Sequence, residues 1–193
     1  MPYDPTKHHR RSIRLKGYDY GLAGAYFVTV VVQGRRCLLG ETTNGVMRPN
    51  EAGKMAQSAW DELTTRYTGL QLDSFVVMPN HVHGIIVLSA NSRGTLATVP
   101  AGAGPRDEAA HYALGDVVGG WKSLVTHRYI HGVRHCGWHC FAGRLWQRNY
   151  YEHIIRNEEE LFRIRRYIAD NPVNWGDDSE NPNRAPDATG SDA

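Results

Sequence analysis

An α+β sandwich, with helices packed on a central antiparallel sheet in a ferredoxin-like arrangement, is predicted by the order of elements along this 193-residue chain. Three observations carry the prediction. Runs rich in β-branched and aromatic residues at 25–33, 70–78 and 81–88 read as strands. Apolar residues at helical spacing mark helices at 50–67, 113–132 and 157–172. The second and third strands are separated only by Pro79 and Asn80, so they form a tight antiparallel hairpin.

Each element has its own signal. The first strand, AYFVTVVVQ, is β-branched and aromatic throughout, as a buried strand requires. The first helix sets Ala52, Met55, Ala56, Ala59, Trp60 and Leu63 on one side, with Asn50 as its N-cap. Residues 90–110, rich in Ala, Gly, Pro and Ser without periodicity, read as a flexible insertion. The second helix aligns Val117, Val118, Trp121, Leu124, Val125 and Tyr129 despite its glycines. RLWQRNYYEHIIR (144–156) reads as extended, and NEEELFRIRRYIADNP (157–172) as a helix with an Asn cap and acids in its first turn, stopped by Pro172.

Length suits one domain, read as spanning 17–175, with no internal repeat. The formal charge of +2 announces no nucleic-acid partner by itself, but its distribution does more. A basic arm, residues 1–16, carries Arg10, Arg11, Arg14 and Lys16, which suit a phosphate backbone; residues 176–193, with five acids and many helix breakers, read as a disordered tail. No run reaches the roughly 18 apolar residues of a membrane helix, and the N-terminus lacks the apolar core of an export signal, so a cytoplasmic protein without membrane contact is expected. Three cysteines in such a chain are read as reduced thiols.

The chemistry starts from FVVMPNHVHGIIVL (75–88), which places two imidazoles in an otherwise apolar strand. Residues i and i+2 of a strand share a face, with Cα atoms about 7 Å apart, so His81 and His83 project together and are able to meet one metal ion; hydrogen-bonded structural histidines are the alternative. Tightly held catalytic metals take a third protein ligand. In RRYIADNPVNW, Tyr167 and Asn171 lie four apart on one helical face, offering a hydroxyl and an amide oxygen together. Tyr167 as a core residue and Asn171–Pro172 as a helix stop are the competing readings.

MPNHVHGIIV, GRLWQRNYYEHIIRN and YIADNPVNW, in that order, resemble the single-tyrosine HUH transposases, and most closely the REP-associated tyrosine transposases. The resemblance runs from about residue 10 to 175. It implies a ferredoxin-like domain that cuts and rejoins single-stranded DNA with hairpin or palindromic flanks, acting as monomer or homodimer. Tyr167 would be the nucleophile, leaving a 5′-phosphotyrosine, and a divalent ion, Mg²⁺ or Mn²⁺, would sit on His81, His83 and Asn171. Mobile members usually carry Gln where this chain has Asn171, as its domesticated relatives do. The alternative function is a hairpin-DNA-binding protein without turnover. A nucleotide hydrolase would continue the alternation to a third histidine, and position 85 is Ile85.

Other groups compete for roles. Tyr150 and Tyr151 precede EHII in an expected edge strand, where only one of them can face the site. Glu152 and His153 are candidates for proton transfer or for orienting the site, or an ordinary surface pair. His135, Cys136, His139 and Cys140 invite a zinc reading, but lack a second knuckle of known spacing. Beyond the arm, Lys122, Arg128 and Arg148 are candidate phosphate contacts, whereas Arg163, Arg165 and Arg166 read as a solvated face.

Overall fold

Alternation along the first strand decides the layering. Tyr26, Val28 and Val30 are fully buried on one face, and Phe27, Thr29 and Val31 are buried on the other, so both faces of the sheet must be covered. The computed structural model describes residues 21–94 and 110–184; the basic arm, residues 95–109 of the expected insertion and residues 185–193 lie outside them.

In chain order the elements are β1 (Gly24–Val31), a 3-10 turn (Gln33–Arg35), β2 (Gly40–Thr43), β3 (Val46–Pro49), α1 (Glu51–Asp61), α2 (Leu63–Arg66), β4 (Thr68–Val77), β5 (His81–Gly94), β6 (Ala110–His111), α3 (Leu114–His135), β7 (Tyr151–Ile155), α4 (Glu158–Asp170) and a 3-10 turn (Trp175–Asp177). The main sheet runs β4-β5-β1-β7 with every pairing antiparallel, and β6 pairs with the far end of β5. With α1 and α3 as the crossovers, this is the ferredoxin-like order the sequence predicts. The β2–β3 hairpin forms a separate two-stranded sheet.

The larger core lies under α1 and α3, where Val28, Val30, Val82 and Ile86 meet Trp60, Val117, Trp121 and Val125. Trp60 stacks on Phe75 with centroids 4.3 Å apart and meets Trp121 edge-on. Gly84 makes this possible, because a methyl group there would come within 2.5 Å of the Trp60 ring. The opposite face carries a smaller core of Phe27, Ile85, Ile155 and Ile168, and α4 covers it through Leu161, Ile164 and Ile168. No helix among the described residues is long and apolar enough to cross a membrane.

Several boundaries differ from the sequence reading. The expected helix at 50–67 is divided at Glu62 into α1 and α2; its cap holds, with Asn50 Oδ1 accepting from the Gly53 amide at 2.9 Å. α3 continues to His135. β5 runs on to Gly94, into the expected insertion, because Arg93 and Gly94 pair with His111 and Ala110. Of the extended segment 144–156, only Tyr151–Ile155 is strand, and Trp146 makes an isolated bridge to Val32. The expectation of a disordered tail from residue 176 is corrected for residues 176–184: Glu180 pairs with Arg35 at 2.7 Å, and its carbonyl accepts from Asn80 Nδ2 at 2.7 Å.

Candidate active site and metal centre

Register brings the site together on the α4 face of the sheet. Val31 faces His81 across the β1–β5 ladder, Thr29 faces His83, and on the other side of β1 Thr29 faces Tyr151. Paired residues share a face, so His81, His83, Thr29 and Tyr151 project toward α4. Val82 points the other way, into the large core.

Each imidazole is held from behind. Asn80 Nδ2 donates to the carbonyls of Arg35 and Glu180 at 2.9 and 2.7 Å, which turns its Oδ1 toward His81 Nδ1 at 2.8 Å. An amide oxygen only accepts, so His81 carries its proton on Nδ1 and presents a lone pair at Nε2. His83 Nδ1 lies 2.8 Å from Thr29 Oγ1. The two Nε2 atoms are 2.9 Å apart. Nitrogens bound cis on one octahedral ion, with bonds of about 2.1 Å, lie about 3.0 Å apart. Burial pushes both histidines' pKa values down, His83 further than His81, where nearby Asp178 opposes the shift. Both rings are therefore neutral near pH 7, the form that binds metal.

The helix supplies the rest. Asn157 caps α4, its Oδ1 accepting from the Glu160 amide at 2.8 Å, with three acids in the first turn. Arg165 clamps the helix to β4 through a bidentate pair with Asp73, at 2.9 and 2.6 Å. Tyr167 and Asn171 then lie one turn apart over the histidine strand. The Tyr167 hydroxyl is 3.4 Å from His83 Nε2, and its ring meets Phe27 edge-on while remaining 48% exposed. Burial of the hydroxyl, then Asp178, raises its pKa. Asn171 is buried next to His81 and Tyr167, whose pKa values its side chain influences, and among the described residues its Oδ1 meets no partner at full hydrogen-bond geometry.

Sequence reasoning missed Asp178. Its carboxylate, almost fully buried, stands 3.7 Å from His81 Nε2, and the ligand atoms of His81, His83 and Asp178 all lie within 4.8 Å of one another. Asp177 and Asp178 read as tail acids because the turn that returns the chain to β5 leaves no periodic signal. Two imidazoles, a carboxylate and a buried amide oxygen fit a divalent ion, so this group is able to hold a metal.

Other candidates fall elsewhere. Arg10, Arg11, Arg14 and Lys16 lie outside the described residues. Lys122 is a correction: its ammonium donates to the carbonyls of Gln147 and Arg148 at 2.8 and 3.2 Å, and burial lowers its pKa, so it ties the loop before β7 to α3. Arg128 is likewise engaged, in a bidentate pair with Glu62 at 2.6 and 2.8 Å. Arg148 is exposed. Tyr151 faces the site, near Phe27, while Tyr150 packs against the large core. Glu152 and His153 point to opposite faces; Glu152 is buried opposite Val28, and His153 bonds Glu160 at 2.7 Å on the α4 side. Cys136, His139 and Cys140 do not converge into a metal-holding group among the described residues.

The fold is shared with a solved structure: that of a REP-associated tyrosine transposase bound to a REP hairpin superposes with a TM-score of 0.53 over 84% of this chain and 74% of its own, at 22% identity. A crystal structure from Deinococcus radiodurans aligns with 81% of this chain and 95% of its own, at TM-score 0.46 and 19% identity. No family model matches. The chain belongs to the same family as an uncharacterized protein of Haemophilus influenzae, to which it is 34% identical over 181 residues, 91% of this chain and 95% of that one.

Proposed function

We propose that the protein is a metal-dependent single-stranded DNA endonuclease and strand transferase of the transposase kind, acting through a 5′-phosphotyrosine on Tyr167. The observation that carries this reading is the contact between the hydroxyl of half-exposed Tyr167 and His83 Nε2, beside the buried Oδ1 of Asn171. A half-exposed phenol is poorly placed to fill a core and well placed to meet a phosphate.

In the proposed reaction, Tyr167 Oη attacks the scissile phosphorus, the bond from phosphorus to O3′ breaks, and the leaving strand takes a proton as a free 3′-hydroxyl. The phosphotyrosine keeps the energy of the broken diester, so attack by another 3′-hydroxyl rejoins strands without ATP. Burial, then Asp178, raises the phenol's pKa, so the attacking oxygen has to give up its proton in the course of the reaction. His81, His83 and Asn171 would hold a divalent ion, Mg²⁺ or Mn²⁺, with Asp178 as a further donor; when bound, it supplies Lewis acidity to the phosphate and to the departing oxygen. The hairpin in the neighbour's structure supports a palindrome-flanked single strand as partner, and cytoplasmic residence belongs to the same reading.

The test is a covalent adduct. Wild-type protein with Mn²⁺ and a labelled single strand bearing a palindromic hairpin flank should give a denaturant-resistant protein–DNA band that chelation abolishes. Tyr167→Phe should lose the band while still binding the DNA, whereas Tyr150→Phe should keep it. Retention of the adduct in Tyr167→Phe assigns the wrong tyrosine, and a wild type that binds the hairpin without any adduct leaves the binding-only function in its place.

A further inference from the structure

On the side of Tyr167 away from the histidines, a cleft of about 300 Å³ opens between β7 and α4, lined by Phe27, Tyr151, His153, Glu160, Arg163 and Tyr167. Its size is at the small end of ligand pockets. Its walls divide by chemistry. Phe27, buried and stacked on His83, backs the cleft and meets Tyr151 and Tyr167 edge-on at 6.1 and 5.9 Å, so the aromatic surface open to a ligand is that of the two exposed tyrosines. Arg163 lies one helical turn before Tyr167 on the same side of α4 and forms no ion pair among the described residues, unlike Arg165 and Arg166, which are paired with Asp73 and Asp170. At the far end, Glu160 is spent on the protein itself, accepting from the Arg156 amide at 2.8 Å and bonding His153 Nε2 at 2.7 Å. That bond fixes the ring, with Nε2–H directed at the carboxylate.

We infer that this cleft seats one nucleotide adjoining the scissile phosphate, with its base against the exposed ring of Tyr151, its phosphate on Arg163, and its edge toward His153. Stacking on aromatic rings beside a cation is how proteins hold single-stranded bases, and an unpaired guanidinium is a bidentate phosphate donor. The distances suit the reading. Glu160 precedes Tyr167 by seven residues, about 10 Å along a helix, which leaves the length of roughly one nucleotide between the nucleophile and the His153–Glu160 end. The cleft thus deepens the proposed cleavage reaction and rests on it for the word scissile, while the presence of a nucleotide site is independent of any cleavage.

The experiment is an amide NMR titration of the full chain with each of the four deoxynucleoside 5′-monophosphates, and with deoxyribose 5-phosphate as the base-free probe. Shifts should concentrate on β7 and on residues 160–167 of α4, spare β4, and differ in affinity among the four bases. Deoxyribose 5-phosphate should bind at least fivefold more weakly. Arg163→Gln should weaken every nucleotide at least fivefold, and Tyr151→Leu should erase the difference between nucleotide and base-free probe; both changes are at exposed positions, and the fold is monitored in the same spectra. Shifts elsewhere, equal affinity for the base-free probe, or wild-type affinity in Arg163→Gln would overturn the inference. A separate adduct assay, with an abasic position on either side of the cut, tells the two apart. A normal adduct insensitive to both abasic positions sinks the nucleotide site alone, whereas nucleotide binding here without any adduct sinks the cleavage reading alone.

Discussion

Asn80 and Thr29 are as much a part of the candidate metal centre as the histidines they hold. Each fixes an imidazole through Nδ1 and so decides which nitrogen is offered to the ion. Thr29→Val removes only the hydroxyl and keeps the shape of the side chain, so Mn²⁺ affinity measured by calorimetry should fall by about tenfold, within the range for such supporting groups, with about 1–3 kcal/mol of stability lost because the buried His83 Nδ1 is left without its partner. Asn80→Ala should lower affinity further and also destabilise the protein, because it leaves the Arg35 and Glu180 carbonyls without their donor. Unchanged Mn²⁺ affinity in Thr29→Val would remove Thr29 from the centre. At this scale the sequence was legible where spacing maps directly onto a face: the alternation of His81 and His83, and the turn from Tyr167 to Asn171. Asp178, Asn80 and Thr29 were not legible, because what joins them to the histidines is the folding of distant segments and not a period.

Among the elements, α4 depends most on an ionic clamp. Its covering core has only Phe27, Ile85, Ile155 and Ile168 as buried members, so the bidentate pair of Arg165 with Asp73 matters to where Tyr167 sits. The pair lowers the Asp73 carboxyl from its ordinary 3.8 to about 2. A pKa depressed by folding contributes stability that is complete above the unfolded value and is lost as pH falls through the folded one. Denaturant unfolding should therefore find wild type more stable than Asp73→Asn by on the order of 1 kcal/mol near neutrality, once solvent screening is allowed for, and the gap should close between about pH 4 and pH 2. A gap independent of pH would mean the carboxylate charge is not what holds the helix. The element order was readable from strand runs and helical periods. The β2–β3 hairpin was passed over although Asn44-Gly45, both at positive φ (52° and 74°), is a strong turn signal; its strands are only four residues long and mostly exposed, so they lack an apolar alternation. The break at Glu62 follows no helix breaker in the sequence.

Across the whole molecule the two sides of the sheet carry unequal loads. The side under α1 and α3 holds most of the buried residues, whereas the side under α4 trades hydrophobic area for the site's polar groups. Trp121→Ala should accordingly cost about 3–5 kcal/mol, and Ile168→Ala, in the smaller cluster, nearer 2 kcal/mol. Their effects on chemistry should run in the opposite order. At a temperature where circular dichroism reports both variants folded, Ile168→Ala should lose more of the phosphotyrosine adduct, because it loosens the helix bearing Tyr167. Equal adduct yields would show that α4 is positioned by the Arg165 clamp alone. Sequence patterns foretold helices packed on a sheet, and it was the family resemblance, by joining Asn171 to the histidines, that put the last helix on their face; its amphipathic stripe alone says how much surface is to be buried and not against what.

The bonds of Asn80 also have a consequence for synthesis. One side chain in the middle of the chain ties the loop at Arg35, the first histidine and the segment at Glu180. Tyr167, Asn171 and Asp178 all follow the sheet and its crossovers in the order of translation. A nascent chain therefore presents all four strands of the frame before Tyr167 and before the Glu180 carbonyl that holds Asn80. A chain interrupted before Tyr167 would lack the proposed nucleophile, and one interrupted before residue 180 would lack the carbonyl that holds Asn80 and, through it, the first histidine.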